Sequence, residues 1–282
     1  MSKNKLPGKK QTNPSRKAEP LNFDPDKSKQ YIPIYILILL IGVVILFSDF
    51  IFSDKMLKGS DTINAGIFFR HFYVEYFNNF GSVPVWNPYI FGGMPFVDAF
   101  HGDTYYPLSV LKFFGDFYRA LGLNLVIHIF LAGIFMFFTA REFNLSKTAA
   151  TVSGIAYAFA GYLVSLVAPG HDGKIFVTTL FPLTILFLER AFDRKPFLNF
   201  TLLGLVIGVI ILSPHPQLSY YALWAIALYG LFRLVNIFLQ TKSVIKVITP
   251  GSLLIYSVVI GLLISAIQFY PGYVYTTEYS PR

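Results

Sequence analysis

Eight polar side chains, seven of which can move protons or hold charge, lie in four short segments of the chain, between long apolar runs. Their types are those of general bases, cation ligands and phosphate ligands. They are Asp61, His101, Asp103, His171, Asp172, Lys174, His215 and Gln217. These are too many titratable groups for plain connecting loops. We therefore predict that folding gathers them on one side of a membrane, as an outward-facing active site.

Two of these residues are carboxylates in the same local sequence. Asp61 lies in Gly59-Ser-Asp-Thr-Ile, and Asp103 lies in Gly102-Asp-Thr-Tyr-Tyr. A carboxylate near aromatic walls can act as a general base, and two carboxylates can together hold a divalent cation. Asp is also a favoured helix N-cap. We predict that both are catalytic, although the 42-residue spacing leaves general base, cation ligand and cap open, and with them whether a divalent cation binds.

A second candidate site is the segment Gly170-His-Asp-Gly-Lys. Lys174 begins an apolar helix there, and a lysine at a helix N-terminus opposes the helix dipole. Phosphate binding by the free N–H groups, His171 and Lys174 would explain this position, with Asp172 beside them. The alternative is that Lys174 reaches to lipid phosphates. We predict substrate binding by His171, Asp172 and Lys174.

The segment Pro214-His-Pro-Gln-Leu joins two apolar helices in very few residues. Two prolines break the helix there and direct His215 and Gln217 toward the outer space, where we predict that they bind substrate. A simple turn is the alternative. His128 lies inside an apolar run and is predicted to be an interhelical hydrogen bonder rather than a catalyst.

An aromatic segment, Trp86-Asn-Pro-Tyr-Ile-Phe-Gly-Gly-Met-Pro-Phe, contains too much Gly and Pro for a regular helix. One interpretation is an aromatic belt that anchors a loop at the membrane interface. The other is a wall of a sugar or isoprenoid pocket, in which rings such as Trp86 stack on the ligand and Asn87 forms hydrogen bonds. Both interpretations stay open.

Composition indicates an integral membrane protein. Of the 282 residues, 54% are hydrophobic and 13% are charged, about half the charged share of a soluble protein. The chain has no cysteine, which excludes disulfides, thiolate metal sites and a cysteine nucleophile. The basic net charge, +8, is concentrated at the N-terminus and suits anionic lipid headgroups better than nucleic acid.

The hydrophobic pattern predicts an all-α polytopic fold with about seven transmembrane helices. Basic residues recur after every second apolar segment, which places the N-terminus in the cytoplasm by the positive-inside rule. The predicted spans are Tyr31–Phe52, Arg119–Phe138, Thr148–Val167, Lys174–Phe192, Phe197–Leu212, Leu218–Leu239 and Val244–Phe269.

The sequence also predicts how the chain is divided into regions. Residues 1–30 hold eight basic and three acidic residues and are predicted to be a disordered cytoplasmic tail. Residues 31–282 form the transmembrane domain, in which residues 53–118 are a long first outer loop. Within that loop, residues 62–79 are predicted to lie on the membrane surface as an amphipathic helix. The chain ends soon after the last span, so we expect the domain to continue beyond residue 282.

Together these segments resemble bacterial membrane proteins of the YfhO family, whose members resemble GT-C-type glycosyltransferases. The resemblance covers residues 35–282. It rests on Asp61, Trp86-Asn-Pro, Phe91-Gly-Gly-Met-Pro, Tyr106-Pro107 after Asp103, Gly170-His171 and Ser280-Pro-Arg282.

The resemblance implies a glycosyltransferase of the bacterial cytoplasmic membrane. Such enzymes take a sugar from a polyprenyl-phosphate carrier on the outer side and pass it to an acceptor, here an envelope glycan or polymer. An acidic residue of the first outer loop is the implied base and matches Asp61, while Arg282 is a further candidate for the phosphate. A transporter or flippase, with ionisable residues near the bilayer midplane, and a non-catalytic scaffold are the alternatives.

Overall fold

The computed structural model describes residues 32–100 and 102–280. This part is almost entirely helical, as predicted. Its α-helices are α1 (Ile32–Leu46), α2 (Ser48–Ile51), α3 (Ile67–Phe80), α4 (Phe117–Glu142), α5 (Lys147–Ala158), α6 (Gly161–Ser165), α7 (Asp172–Asp193), α8 (Pro196–Ile211), α9 (Pro216–Thr241) and α10 (Ile245–Val274). The predicted tail of residues 1–30 lies outside the described residues.

Five helices in the described part are long and apolar enough to cross a membrane. They are α4, α5 with α6 (Lys147–Ser165), α7, α9, and α10 with the segment after it (Ile245–Tyr279). The apolar helices α1 and α8 match the other two predicted spans but are shorter, with 15 and 16 residues. The total of seven spans therefore stays a prediction.

Several helices begin at a side chain that caps their free N–H groups. Asp116 accepts a hydrogen bond from the N–H of Arg119 (2.8 Å) at the start of α4. Ser146 accepts one from Ala149 (3.1 Å) at the start of α5. Such caps satisfy backbone donors that have no partner within the helix, so they fix where each helix starts.

Small residues bring the helices into close contact. A Cβ atom added to Gly204 of α8 would lie 2.7 Å from the carbonyl oxygen of Ser257 in α10. One added to Gly208 of α8 would lie 2.9 Å from Cβ of Ile264 in α10. One added to Gly154 of α5 would lie 2.7 Å from a backbone oxygen of α4. Close backbone approach of this kind is typical of helix packing in membranes.

The segment between α2 and α4 contains the least regular structure. It begins with a π-helical turn, Thr62–Gly66, which runs directly into α3. Two short strands follow, β1 (Trp86–Asn87) and β2 (Met94–Pro95), paired antiparallel with Trp86 opposite Pro95. A 3₁₀ helix, Pro107–Phe113, leads to α4. The helix expected over residues 62–79 is therefore present, while its position on a membrane surface stays a prediction.

An aromatic contact fixes this segment against the helix bundle. Tyr106 stacks on Phe176 of α7, with 4.3 Å between ring centroids. Its hydroxyl lies 2.7 Å from Nε2 of His128, and Nδ1 of His128 contacts the carbonyl of Asn124. His128 is therefore a buried hydrogen bonder that helps to position the first loop, but its side-chain partners lie in that loop and in its own helix rather than on another helix, which the sequence had predicted.

Candidate functional site

Five of the predicted site residues meet around one cavity of about 330 Å³. Three segments that are far apart in sequence supply its titratable side chains: the π-helical turn with the start of α3, the loop before α7, and the loop before α9. These side chains are Asp61, Arg70, His171, Asp172, Lys174 and His215, and Phe100 and Gly102 add to the wall. Five of these six were predicted as site residues.

Close backbone contact holds the first two segments together. The N–H of Asp61 donates to the carbonyl of Pro169 at 2.8 Å. Gly170 has a positive φ of 80°, and a Cβ added to it would lie 2.1 Å from Oγ1 of Thr62. Only glycine suits a position with both constraints. The sequence Gly170-His171 therefore brings its histidine to the carboxylate of Asp61.

Within the cavity, His171 lies between Asp61 and Lys174. Nε2 of His171 is 2.9 Å from Oδ2 of Asp61, and Nδ1 is 3.2 Å from Nζ of Lys174. An ammonium group only donates hydrogen bonds, so Nδ1 accepts and Nε2 carries the proton that is donated to Asp61. Asp61 accepts no N-cap hydrogen bond through its side chain, so capping does not account for this residue.

The first turn of α7 uses its own polar groups for part of its backbone. The N–H of Gly173 donates to Oδ1 of Asp172 (3.1 Å), and that of Lys174 donates to the carbonyl of His171 (3.1 Å). The prediction that free N–H groups of this turn bind phosphate therefore does not hold for these two. An anion in the cavity would be held mainly by side chains.

Asp103 departs from its predicted role. It is only 1% exposed and belongs to a buried ion-pair network. Its Oδ1 is 2.9 Å from Nε of Arg70 and 3.0 Å from Nζ of Lys112, and its Oδ2 accepts a hydrogen bond from Ser109. Because both oxygens are occupied inside the protein, Asp103 is not available as a general base at the cavity. It serves instead to hold Arg70.

Arg70 belongs to this buried network and also lines the cavity. Its side chain, 5% exposed, also forms an ion pair with Asp172 at the start of α7. Burial alone would lower the pKa of Arg70, but Asp103 and Asp172 outweigh it and raise that pKa. Burial would likewise raise the pKa of Asp103, yet Arg70 and Lys112 hold it well below its ordinary value. Both groups are therefore charged at neutral pH.

Sequence reasoning missed the roles of Arg70 and Lys112. Arg70 lies within the amphipathic helix predicted over residues 62–79 but was not singled out there, and neither was Lys112. Lys112 is 3% exposed, and burial lowers its pKa. The available signal was its setting, because a lone lysine in Pro-Leu-Ser-Val-Leu-Lys-Phe interrupts an otherwise apolar segment and needs a buried partner.

The third segment contributes His215 but not Gln217. His215 caps α9, because its Nδ1 accepts a hydrogen bond from the N–H of Leu218 (3.1 Å). Burial, with Lys174 nearby, lowers the pKa of His215. Gln217 instead donates to the hydroxyl of Tyr221 (2.9 Å) one turn along α9 and does not line the cavity.

A larger cleft of about 590 Å³ adjoins the first cavity. The two share Ala65 and Phe69 as wall residues. Asn87 lines the cleft and is 2% exposed, with its Oδ1 accepting a hydrogen bond from the N–H of Tyr89. Trp86 is 52% exposed and lies outside the lining, and its indole packs against Gly93.

Two candidates cannot be placed, since His101 and Arg282 lie outside the described residues. Among the described residues, no group of three or more His, Asp or Glu side chains could hold a metal ion. The nearest approach to a ligand set is Asp61 with His171, and Lys174 lies beside it.

Comparison with protein-family models, with curated proteins and with solved structures finds no match to this chain. Function is therefore inferred from the geometry of the cavity together with the sequence pattern.

Proposed function

We propose that this protein is a membrane glycosyltransferase of GT-C type that moves a sugar from a polyprenyl-phosphate carrier to an acceptor hydroxyl. The reaction takes place on the outer side of a bacterial cytoplasmic membrane. One observation carries the proposal: Asp61, His171 and Lys174 form a continuous polar chain inside a cavity that lies where α7 and α9 begin.

Asp61 is the general base. Its side chain is 60% exposed, and Oδ1 accepts only a long hydrogen bond of 3.3 Å from Ser60, so an acceptor hydroxyl can reach it. His171 donates to the other oxygen and orients the carboxylate, as the third member of a nucleophile–base arrangement does. Lys174 fixes the tautomer of His171 by donating to Nδ1.

The reaction balances without a further acid. The acceptor oxygen attacks the anomeric carbon while its proton passes to Asp61. The bond between that carbon and the phosphate oxygen breaks, and the lipid phosphate leaves with the electron pair. Lys174 provides positive charge where charge develops on the phosphate.

Sugar transfer by a variant that lacks the carboxylate of Asp61 tests the proposal. In nanodiscs, mass-resolved transfer is measured from a panel of undecaprenyl-phosphate sugars to a bacterial envelope fraction. We expect one donor to be used, and we expect Asp61→Asn to lower turnover by about 10²–10⁴-fold, the usual contribution of a general base. Asp116→Asn is the matched control, because Asp116 is an exposed N-cap and Asn retains capping.

Two outcomes would overturn the proposal. Near-normal turnover by Asp61→Asn would remove the general base. Movement of the lipid-linked sugar across the bilayer without any covalent product would instead support a transporter or flippase.

A further inference from the structure

The cleft beside the cavity has the composition of a binding site. Six aromatic side chains line it, namely Phe68, Phe69, Phe72, Tyr89, Phe91 and Tyr118. Polar groups of Asn64, His71, Glu75 and Asn87 lie among them. Its volume, about 590 Å³, lies within the range of small-molecule sites, which combine apolar walls with a few polar groups.

The cleft and the neighbouring cavity differ in the charged residues that line them. Among the described residues that line the cleft, none is Lys or Arg, and the acidic residue is Glu75, whose Oε2 lies 3.6 Å from Nδ1 of His71. The cavity, in contrast, holds the cations Lys174 and Arg70 together with the carboxylates of Asp61 and Asp172. Arg70 is paired with Asp103 and Asp172, so Lys174 is the cation that a phosphate group in the cavity would meet, and an uncharged polar ligand is suited to the cleft.

The loop beside the cleft has a strained backbone at Phe91 and exposes two aromatic rings. Phe91 has a positive φ of 50°, which is uncommon for a bulky residue, and its side chain is 87% exposed. Tyr89 is 82% exposed, and its ring packs edge-on against Phe72. Backbone strain of this kind concentrates at ligand clamps and active sites. The exposed ring faces can stack on the C–H faces of a sugar.

The cleft leads to the general base along one helical wall. Ala65 and Phe69 separate the cleft from the cavity, and Ala65 belongs to the π-helical turn Thr62–Gly66. Such turns occur frequently at functional sites. Ala65 follows Asp61 by four residues, a helical rise of about 6 Å, and its exposed methyl group leaves the passage open.

We propose that the cleft binds the acceptor as a neutral carbohydrate chain whose reacting hydroxyl passes over Ala65 to Asp61. The assignment rests on the proposed function for its catalytic part, while binding of the carbohydrate is independent of it. Rings of Tyr89 and Phe91 stack on the sugar, and Glu75, His71 and Asn64 accept and donate hydrogen bonds.

Binding is measured without any donor. The chain has two tryptophans, so Trp224→Phe leaves Trp86 as the single reporter, packed on Gly93 close to the loop beside the cleft. Titration in nanodiscs uses neutral oligosaccharides of glucose, galactose, mannose and N-acetylglucosamine. At least one should change the emission saturably. We expect Tyr89→Ala and Phe91→Ala each to weaken its binding by about tenfold, which equals 1.4 kcal/mol.

The matched control is Phe114→Ala, because Phe114 is 67% exposed and lies outside the cleft lining. It should bind the sugar as the parent does. Absence of saturable binding by every neutral oligosaccharide, or equal weakening by Phe114→Ala, would overturn the cleft assignment whether or not transfer is observed.

Ala65→Leu tests the path between the two sites. Leucine adds bulk to an exposed position at the wall that both sites share, so transfer at saturating donor and oligosaccharide should fall by more than about tenfold. Normal transfer by this variant would exclude passage over Ala65. If the parent transfers no sugar from any donor but still binds the oligosaccharide, the proposed function fails and the cleft assignment stands.

Discussion

Arg70 and Asp103 form an ion pair that is buried on both sides, with 2.9 Å between Nε and Oδ1. Arg70 also pairs with Asp172 of α7, so the pair joins the first loop to the helix bundle. The candidate site therefore depends on a charge pair that itself takes no part in the proposed reaction.

Removal of the buried carboxylate should destabilise the fold. Asp103→Asn leaves Lys112 buried without its counter-charge and leaves Arg70 with Asp172 alone, and breaking a buried pair typically costs about 3–5 kcal/mol. Thermal unfolding in nanodiscs measures the effect. Asp116→Asn, at an exposed position, should change stability by no more than about 0.5 kcal/mol. Adding Lys112→Met to Asp103→Asn should recover part of the loss, and equal stability of Asp103→Asn and the parent would contradict the network.

Two glycines with nearly the same positive φ should respond differently to alanine. Gly92 has φ +79° and nothing within 4 Å of an added Cβ, whereas Gly170 has φ +80° and Thr62 at 2.1 Å. Gly92→Ala should cost about 1–2 kcal/mol from the left-handed conformation alone. Gly170→Ala adds a steric clash and displaces His171 from Asp61, so it should also abolish transfer. Similar unfolding temperatures and activities for both variants would contradict this contact.

Donor affinity should depend on Lys174. A charge-assisted hydrogen bond contributes roughly 1.5–3 kcal/mol, so Lys174→Ala should weaken donor binding by about ten- to a hundredfold. Lys174→Arg should restore part of the affinity, because charge survives while geometry changes. Lipid-donor titration in nanodiscs measures both. Lys58→Ala, at an exposed lysine of the first loop, is the control. Unchanged donor dependence for Lys174→Ala would support the alternative of anchoring to lipid headgroups.

Acid should reduce stability partly through His215. Its pKa is lowered in the folded protein, whereas in the unfolded chain it is about 6.5. As the pH falls below about 6.5, the unfolded state takes up a proton that the folded state does not yet bind, so stability decreases. His215→Asn keeps a capping acceptor and should flatten this part of the curve. Unfolding temperatures of both proteins between pH 5 and 7.5 provide the comparison, and parallel curves would contradict the assignment.

Cysteine labelling should reveal opposite sides of the membrane. The chain has no cysteine, so single replacements report directly. Ser60→Cys, beside the proposed base, should react with an impermeant maleimide added outside intact cells. Lys246→Cys, in the first turn of α10, should react only after the membrane is opened. The reverse pattern would invert the proposed topology.

Sequence predicted the long helices because their signal is local. Apolar runs and flanking Lys or Arg residues placed α4 and α9 within a few residues of where they lie. The break at Phe159–Ala160 between α5 and α6 was missed, because the run Thr148–Val167 is apolar throughout. The number of transmembrane spans is not settled by length, since α1 and α8 are shorter than a typical span.

The sequence predicted some residues of the site but missed their long-range partners, for a physical reason. Asp61, His171 and Lys174 were found because polar residues next to an apolar run are conspicuous. The partners of Arg70 lie 33 and 102 residues away, and no periodicity encodes contacts over such separations. Asp103 was recognised as special, but its burial depends on Lys112 and Arg70 and could not be inferred from its own neighbours.

The helical wall from Asp61 to Glu75 faces the charged cavity on one side and the aromatic cleft on the other, and these share only Ala65 and Phe69. Substitutions at His71, Glu75 or Tyr89 alter one recognition surface and touch none of the charges in the other. In the proposed arrangement, natural variation at these positions can diversify the choice of acceptor while the donor contacts are kept constant, and we expect a comparison of related chains to show two rates of change along a single helix.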